Sequence, residues 1–395
     1  MSRPHELLRA IALSLRLGFA RPRHHLLTIA GLLIASLTLM AVLMIPAGLS
    51  RIAASTGRAD VAVVLASPRG DESEGNIAPE RVQRIGALPG VARAADGAPL
   101  LAEQFVAHVK LPRRDGMPAT AIVRGSDSKI WSVVGDEAHI DKGKAFGSAV
   151  NEMVAGSVAA RRYLYAQAGS PITMTRSIWQ VSGEFSAHGN LWESEFWADL
   201  DALRAIYNAQ GQTTAIWLRL DGSDGYARLT EAMQADPQLR GLQLMRQADF
   251  YARRVGFVTL FARTAAWAIA LLLGLQALLV SHNAVGLSLR ARRRELAVLR
   301  AVGFERGALL AALLIETLLL AALCAAIALV LGYFFLDGRG IDSSTLDASI
   351  HFTTAITGEV LISTLAYALM IGLASALIPA WSALRAPLAP ALAGE

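Results

Sequence analysis

TAAWAIALLLGLQALLVSHNAVGLSL, residues 264–289, carries no charged side chain and passes directly into RARRRELAVLRAVG, residues 290–303. A helix needs roughly 20 apolar residues to span the hydrocarbon of a bilayer. In lipid the backbone must satisfy its own hydrogen bonds, and a helix does so. The two segments therefore read as a membrane span that ends at a basic, water-facing loop. Three further runs agree. Residues 26–50 and 360–384 carry no charge, and 307–336 carries one, Glu316. The fold expected is an α-helical membrane protein with four transmembrane helices, at 26–50, 256–289, 307–336 and 357–384.

Composition supports this. Of 395 residues 54% are hydrophobic and only 17% charged, too apolar for an ordinary soluble domain. The net charge of +5 does not point to nucleic acid, because the arginines cluster beside the apolar runs. Cys324 is the only cysteine and lies inside an apolar run. That leaves no internal disulfide and no thiolate metal site, and suggests a small buried residue. The first run exceeds the 7–15 residues or so of a signal-peptide core and reads as a retained helix.

Arg3, Arg9, Arg16, Arg21 and Arg23 precede the first run. Arg290, Arg292, Arg293, Arg294, Arg300 and Arg306 separate the second and third, and Arg385 follows the fourth. The 337–356 loop instead carries Asp337, Asp342 and Asp347 against Arg339. Positive segments stay in the cytoplasm. This predicts an inner-membrane protein with cytoplasmic termini, a cytoplasmic 290–306 segment, a short outer loop at 337–356 and a large periplasmic domain at 51–255. Leu8, Ile11, Ala12, Leu15 and Phe19 recur at helical spacing in 1–25, as in a helix lying in the membrane interface. Residues 385–395 form a cytoplasmic tail.

The domain inserted between helices one and two reads as mixed α/β, ferredoxin-like plus β-rich. Val61–Leu65 has strand composition. Pro79 suits a helix start, and Pro89-Gly90 stops that helix. A second strand–helix–strand pattern falls at 215–220, 226–235 and 241–245. Pieces at about 58–125 and 211–248 would then pair, with 126–210 inserted between them. The aromatics Trp179, Phe185, Trp192, Phe196 and Trp197 surround His188 and Glu193. They read as a ligand or partner surface or as core, and core is favoured. His108, His139 and His188 are too scattered in sequence for a metal site, so no metal is expected.

The chain has no phosphate-binding G-x-x-x-x-G-K-[ST] loop, no G-x-S-x-G elbow and no H-E-x-x-H. Its lysines, Lys110, Lys129, Lys142 and Lys144, all lie in the outer segment. Nothing supports an enzyme. Two features stand out instead. Within 290–306 the residues Arg293, Arg294, Glu295, Leu296, Leu299, Arg300 and Ala301 predict a short amphipathic helix, with Leu296, Leu299 and Val302 on one face and Gly303 as its C-terminal cap. Its plainer reading is charge that sets topology. Glu316 is a carboxylate inside a span and a functional candidate by default; Gln276 on the second span is a candidate partner. Bracing of the helices is favoured over direct work on a substrate.

The segment 292–303 resembles the R-x-R-E-[IL]-A-x-L-R-A-x-G pattern of permeases of the FtsX/MacB superfamily, the type VII ABC transporters. Glu316, in Leu314-Ile315-Glu316-Thr317, matches the glutamate usual in the next span. Leu26-Leu27-Thr28-Ile29-Ala30-Gly31 is similar to the family's first helix. Pro379-Ala380-Trp381-Ser382-Ala383 and Ala391-Leu392 are similar to its C-terminal end, although the proline usual before that final pair is displaced to Pro387 and Pro390. In the outer segment, Val123-Arg124-Gly125, Ile172 and Val181-Ser182-Gly183-Glu184-Phe185 fall where a MacB-type periplasmic domain has strands.

The resemblance implies a permease subunit with two copies of a separate cytoplasmic ABC ATPase, which bind ATP and Mg, while this chain holds no cofactor. A second permease, identical or paralogous, would complete the membrane unit. Membrane lipid surrounds it, and a periplasmic adaptor or substrate protein is a further expected partner. The 290–306 helix would be the ATPase-coupling helix, and the output would be export or extraction from the periplasmic side. The alternative is the same architecture used as a mechanotransmitting signalling or scaffold complex on a periplasmic partner such as a cell-wall hydrolase.

Overall fold

The computed structural model describes residues 26–66, 70–147, 151–343 and 350–385. The expected interfacial helix at 1–25, Asp347 and most of the 385–395 tail, with Pro387, Pro390, Ala391 and Leu392, lie outside the described residues. In chain order the elements are α1 (Leu26–Ser55), β1 (Val61–Leu65), α2 (Pro79–Ala87), β2 (Leu101–Pro112), β3 (Pro118–Ser126), α3 (Ile130–Val134), β4 (His139–Gly143) and β5 (Glu152–Gly156). Then come α4 (Ser157–Arg162), β6 (Pro171–Met174), β7 (Ser177–Ser186), β8 (Phe196–Asp199), α5 (Leu200–Ile206), β9 (Ala215–Arg219), α6 (Gly225–Ala235) and β10 (Gln243–Arg246). The last are α7 (Gln247–Ala291), α8 (Arg293–Ala301), α9 (Arg306–Phe335), β11 (Gly340–Ser343), β12 (Ile350–Thr353) and α10 (Gly358–Arg385).

The chain divides into two units: residues 49–258 and 340–353, with the first turns of α7 and the β11–β12 hairpin, form the α/β unit, and the other described residues form the helical one. In the helical unit, α1, α7, α9 and α10 are long and apolar enough to cross a membrane. Two run further than hydropathy alone indicates. α1 continues past 50 through Arg51 to Ser55, because nothing breaks the helix before Gly57, which sits at φ +87°. α7 starts at Gln247 rather than 256, since 247–255 holds neither glycine nor proline. The other two agree with the sequence to one residue, the usual margin at helix ends. Leu32, Leu39 and Met40 of α1 pack against Ala266, Ala270 and Ala277 of α7, Ala321, Cys324 and Ala325 of α9, and Tyr367 and Ala368 of α10. Small residues let the backbones approach, as is usual where lipid gives helices no hydrophobic reason to associate. A Cβ added at Gly372 would lie 2.8 Å from the Ala321 Cβ, so α9 and α10 cross there without room for a side chain. Tyr367 donates its hydroxyl to the Ala270 carbonyl oxygen at 2.7 Å, tying α10 to α7. Cys324 is buried in this core.

The α/β unit is built on a sheet ordered β10-β1-β9-β2-β3-β8-β5-β7-β4, with β6 paired to β7. The early piece β1–α2–β2 and the late piece β9–α6–β10 interleave: β1 lies between β10 and β9, and β9 between β1 and β2, all adjacent pairs antiparallel. β1 is apolar at every position because the core covers both of its faces; Ala62 and Val64 meet Val82 and Ile85 of α2 and Leu229 and Met233 of α6. Residues 126–210 do not fold apart. β8 pairs with β3 in parallel, Val123 opposite Phe196, and carries the sheet onward through β5 and β7. Trp179, Phe185, Trp192, Phe196 and Trp197 are all fully buried, which settles that stretch as core.

The 337–356 segment is not a plain loop. β11 and β12 form an antiparallel hairpin, Ile341 opposite Phe352, and β12 packs against the short helical turn Leu191–Ser194 of the α/β unit. Each strand is four residues long.

Candidate functional site

α7 ends at Ala291 and α8 begins at Arg293, so Arg292 is the hinge residue between them, outside helical geometry at φ −100°, ψ 9°. The break turns its side chain inward. Arg292 is 5% exposed and its Nη1 lies 3.1 Å from Glu316 Oε1 and 3.4 Å from Oε2. Glu316, on α9, is equally buried. Val285, Leu289, Leu313, Ala376 and Ala380, with the hydroxyl residues Ser288 and Thr317, surround the pair. In so buried a setting an ionised group is costly without an opposite charge, and the pair supplies one to each side. Gln276 is not the partner expected from sequence: it lies exposed on α7, and the carboxylate is met by an arginine of the loop instead. Nothing in the run Arg292-Arg293-Arg294 distinguishes the inward residue, since the choice depends on where the helix breaks.

α8 is anchored by two leucines. Leu296 is buried with Val285, Leu289, Leu313, Ala376 and Ala380, and Leu299 packs on the cluster of Leu309, Ala312 and Leu384. Gly303 closes the helix as expected, at φ +108°. Its N–H donates to the Arg300 carbonyl at 3.2 Å and the Phe304 N–H donates to the Leu299 carbonyl at 3.1 Å, while Phe304 and Leu299 pack on the same cluster. These are the paired bonds of a left-handed helix terminus. Val302 does not share the face of Leu296 and Leu299. It lies past the last helical residue and is 74% exposed. The surface that α8 presents is Arg294, Val298, Ala301 and Val302, all exposed, at the spacing of one helical stripe. Arg293 is exposed, while Glu295 and Arg300 are half-buried.

A second charged cluster lies in the α/β unit. Arg124 of β3 is fully buried and forks onto two carboxylates, Glu195 at 2.8 and 2.9 Å and Glu72 at 3.0 Å twice, with Gln104 Oε1 at 2.5 Å. Its guanidinium also stacks 4.4 Å over the Trp217 ring. Glu72 further accepts from Trp217 Nε1 at 3.0 Å and from Arg254 of α7 at 3.1 Å. Burial pushes the Glu72 carboxyl up, but Arg124 and Arg254 outweigh it and hold it below the usual carboxylate range. Trp192 donates to the Tyr251 hydroxyl at 2.8 Å, a second bond from this core to the first turns of α7. Sequence reading missed Arg124, Glu72 and Glu195 as a group. A charged residue between Val123 and Gly125 in a strand is the signal that could have raised Arg124. The fold also brings His139 and His188 together, ring centroids 6.1 Å apart. Among the described residues no three metal-ligating side chains converge.

Residues 267–388 match the family model described as FtsX-like permease C-terminal. Comparison with curated proteins finds no match. Among solved structures, the chain is similar to the periplasmic region of MacB from Actinobacillus actinomycetemcomitans, with TM-score 0.36 and 10% identity over 50% of this chain and 92% of that one. It is also similar to the extracellular domain of the noncanonic ABC-type transporter YknZ from Gram-positive bacteria, with TM-score 0.33 and 12% identity over 47% of this chain and 99% of that one. The matched stretch takes in the apolar length of α7, the Arg292 break, α8, α9 and α10, and through it the chain carries an FtsX-like permease C-terminal domain.

Proposed function

We propose that this chain is the permease subunit of an ABC transporter and that a separate cytoplasmic ATPase docks on the Arg294, Val298, Ala301 and Val302 face of α8. The observation that carries the reading is the division of labour on α8: its leucines are spent on anchoring, and an apolar stripe beside arginines is left exposed. A helix used only for topology would need the arginines and nothing else. In this reading two ATPase copies bind ATP and Mg, and a second permease, identical or paralogous, completes the membrane unit.

Force arriving at α8 passes through Leu296, Leu299 and the Arg292–Glu316 pair to α7, α9 and α10. α7 runs from Gln247 to Ala291 as one helix, and in this reading it is the covalent route by which movement reaches the α/β domain. That domain lies in the periplasm, and its interleaved strand–helix–strand pieces are the ferredoxin-like half. Both termini are cytoplasmic and the membrane is the inner one, by the arginine distribution. The output is export or extraction of a periplasmic substrate, with an adaptor or substrate protein as the outer partner. Nucleotide state biases a membrane element with two arrangements.

The test is copurification of the full chain with an ATPase and measurement of nucleotide hydrolysis. Arg294→Glu and Val298→Asp should each release the ATPase or lower its hydrolysis severalfold without lowering the melting temperature of the permease. Unchanged binding and hydrolysis in both variants would overturn the reading.

A further inference from the structure

A groove of about 530 Å³ opens between the last turns of α7 and of α10, within the range of about 300–1,000 Å³ common for small-ligand sites. Its polar lining includes Arg290, Arg293, His282 and Asn283, and its apolar lining includes Leu287 of α7 and Ile378 of α10. No aspartate or glutamate lines it. Gly286 gives it width, because a Cβ added there would meet nothing within 4 Å.

The basic residues at this end are used differently from one another. Arg292 turns inward onto Glu316, and Arg385 stacks 4.3 Å over the Trp381 ring. Arg290 and Arg293 are exposed and make no ion pair among the described residues. Leu287 and Ile378, on the apolar wall, are 59% and 64% exposed. Trp381, on α10 beside the groove, is 52% exposed, a placement usual for aromatic side chains at the headgroup level of a bilayer.

We propose that this groove binds an anionic glycerophospholipid, with its phosphate on Arg290 and Arg293 and its acyl chains against Leu287 and Ile378. A guanidinium matches a phosphate with two parallel bonds, and basic pockets between membrane helices on the cytoplasmic side suit anionic lipid headgroups. The apolar wall is what selects a lipid over a free phosphate: a soluble anion would leave it wet. The inference rests on the reading that the 290–306 segment faces the inner leaflet.

The test is native mass spectrometry of the full chain in detergent with equimolar phosphatidylglycerol and phosphatidylcholine of identical chains. The expected result is about a tenfold preference for phosphatidylglycerol, some 1.4 kcal/mol. Arg290→Gln with Arg293→Gln should abolish the preference. Arg294→Gln with Arg306→Gln removes the same charge outside the groove and should retain it. Ile378→Trp, which fills the apolar wall, should lower retention of both lipids. The proposal is overturned if both double variants lose the preference equally, if no preference exists, or if millimolar glycerol phosphate displaces the lipid. Orientation is read separately, by labelling a cysteine placed at the exposed Val302 in sealed inverted vesicles. Lipid binding in detergent does not depend on it, so the two readings can fail independently.

Discussion

Arg292 and Glu316 meet 3.1 Å apart in a setting where each is at most 5% exposed, and they join the break between α7 and α8 to the interior of α9. The attraction of such a pair is largely offset by the cost of removing both charges from water, so the pair positions more than it stabilises. Its consequence is geometric: the Arg292–Glu316 pair, Leu296 and Leu299 all tie α8 and its start to the long helices.

Removing one partner should be far worse than removing both. Glu316→Gln removes the carboxylate that meets the buried Arg292 guanidinium and should cost about 3–5 kcal/mol, visible as a lowered melting temperature of the purified chain in detergent. Glu316→Leu combined with Arg292→Met should recover most of that loss. Wild-type melting in Glu316→Gln would mean that the pair holds nothing together.

The two faces of α8 should separate stability from coupling. Leu296→Ala removes a buried anchor and should cost about 2–4 kcal/mol, with lower yield and melting temperature. Val298→Asp should leave melting unchanged and act only on the ATPase. If Val298→Asp unfolds the chain as readily as Leu296→Ala, the exposed stripe is misassigned.

The α/β unit should be acid-labile at Glu72. A carboxyl whose folded value is depressed contributes stability that is present above its ordinary range and is lost as pH falls through the folded value, which places the loss below about pH 4. Trp217 donates to this carboxylate, so tryptophan fluorescence is the readout. Glu72→Gln should destabilise the unit at neutral pH by about 3 kcal/mol and flatten the acid transition. An acid transition unchanged in the variant would exclude Glu72 as its source.

Asp127 acts with the opposite sign. Burial raises its carboxyl to about 6. A raised value favours the folded state while the group is protonated, and that advantage is lost as pH rises from the ordinary carboxylate range to about 6. Asp127→Asn should therefore raise the melting temperature at pH 7.5, by about 1–2 kcal/mol of stability, and make no difference at pH 4. A variant less stable than wild type at pH 7.5 would show that the ionised carboxylate is needed where it lies.

Much of this molecule is legible along the chain. The lengths of the four apolar runs, the start of α2 at Pro79, the Val61–Leu65 strand and the Gly303 terminus depend on residues within a few positions of one another. Backbone preference and the thickness of hydrocarbon act at that range, so the sequence by itself determined them. What brings distant segments together is decided only by tertiary packing. β1 sits between β9 and β10, Arg124 gathers Glu72 and Glu195, and Arg292 rather than Gln276 meets Glu316. Arg292, Arg293 and Arg294 are chemically identical, and only the position of one helix break, set by the leucines packing beneath α8, turns the first of them into the protein and leaves the other two at its surface.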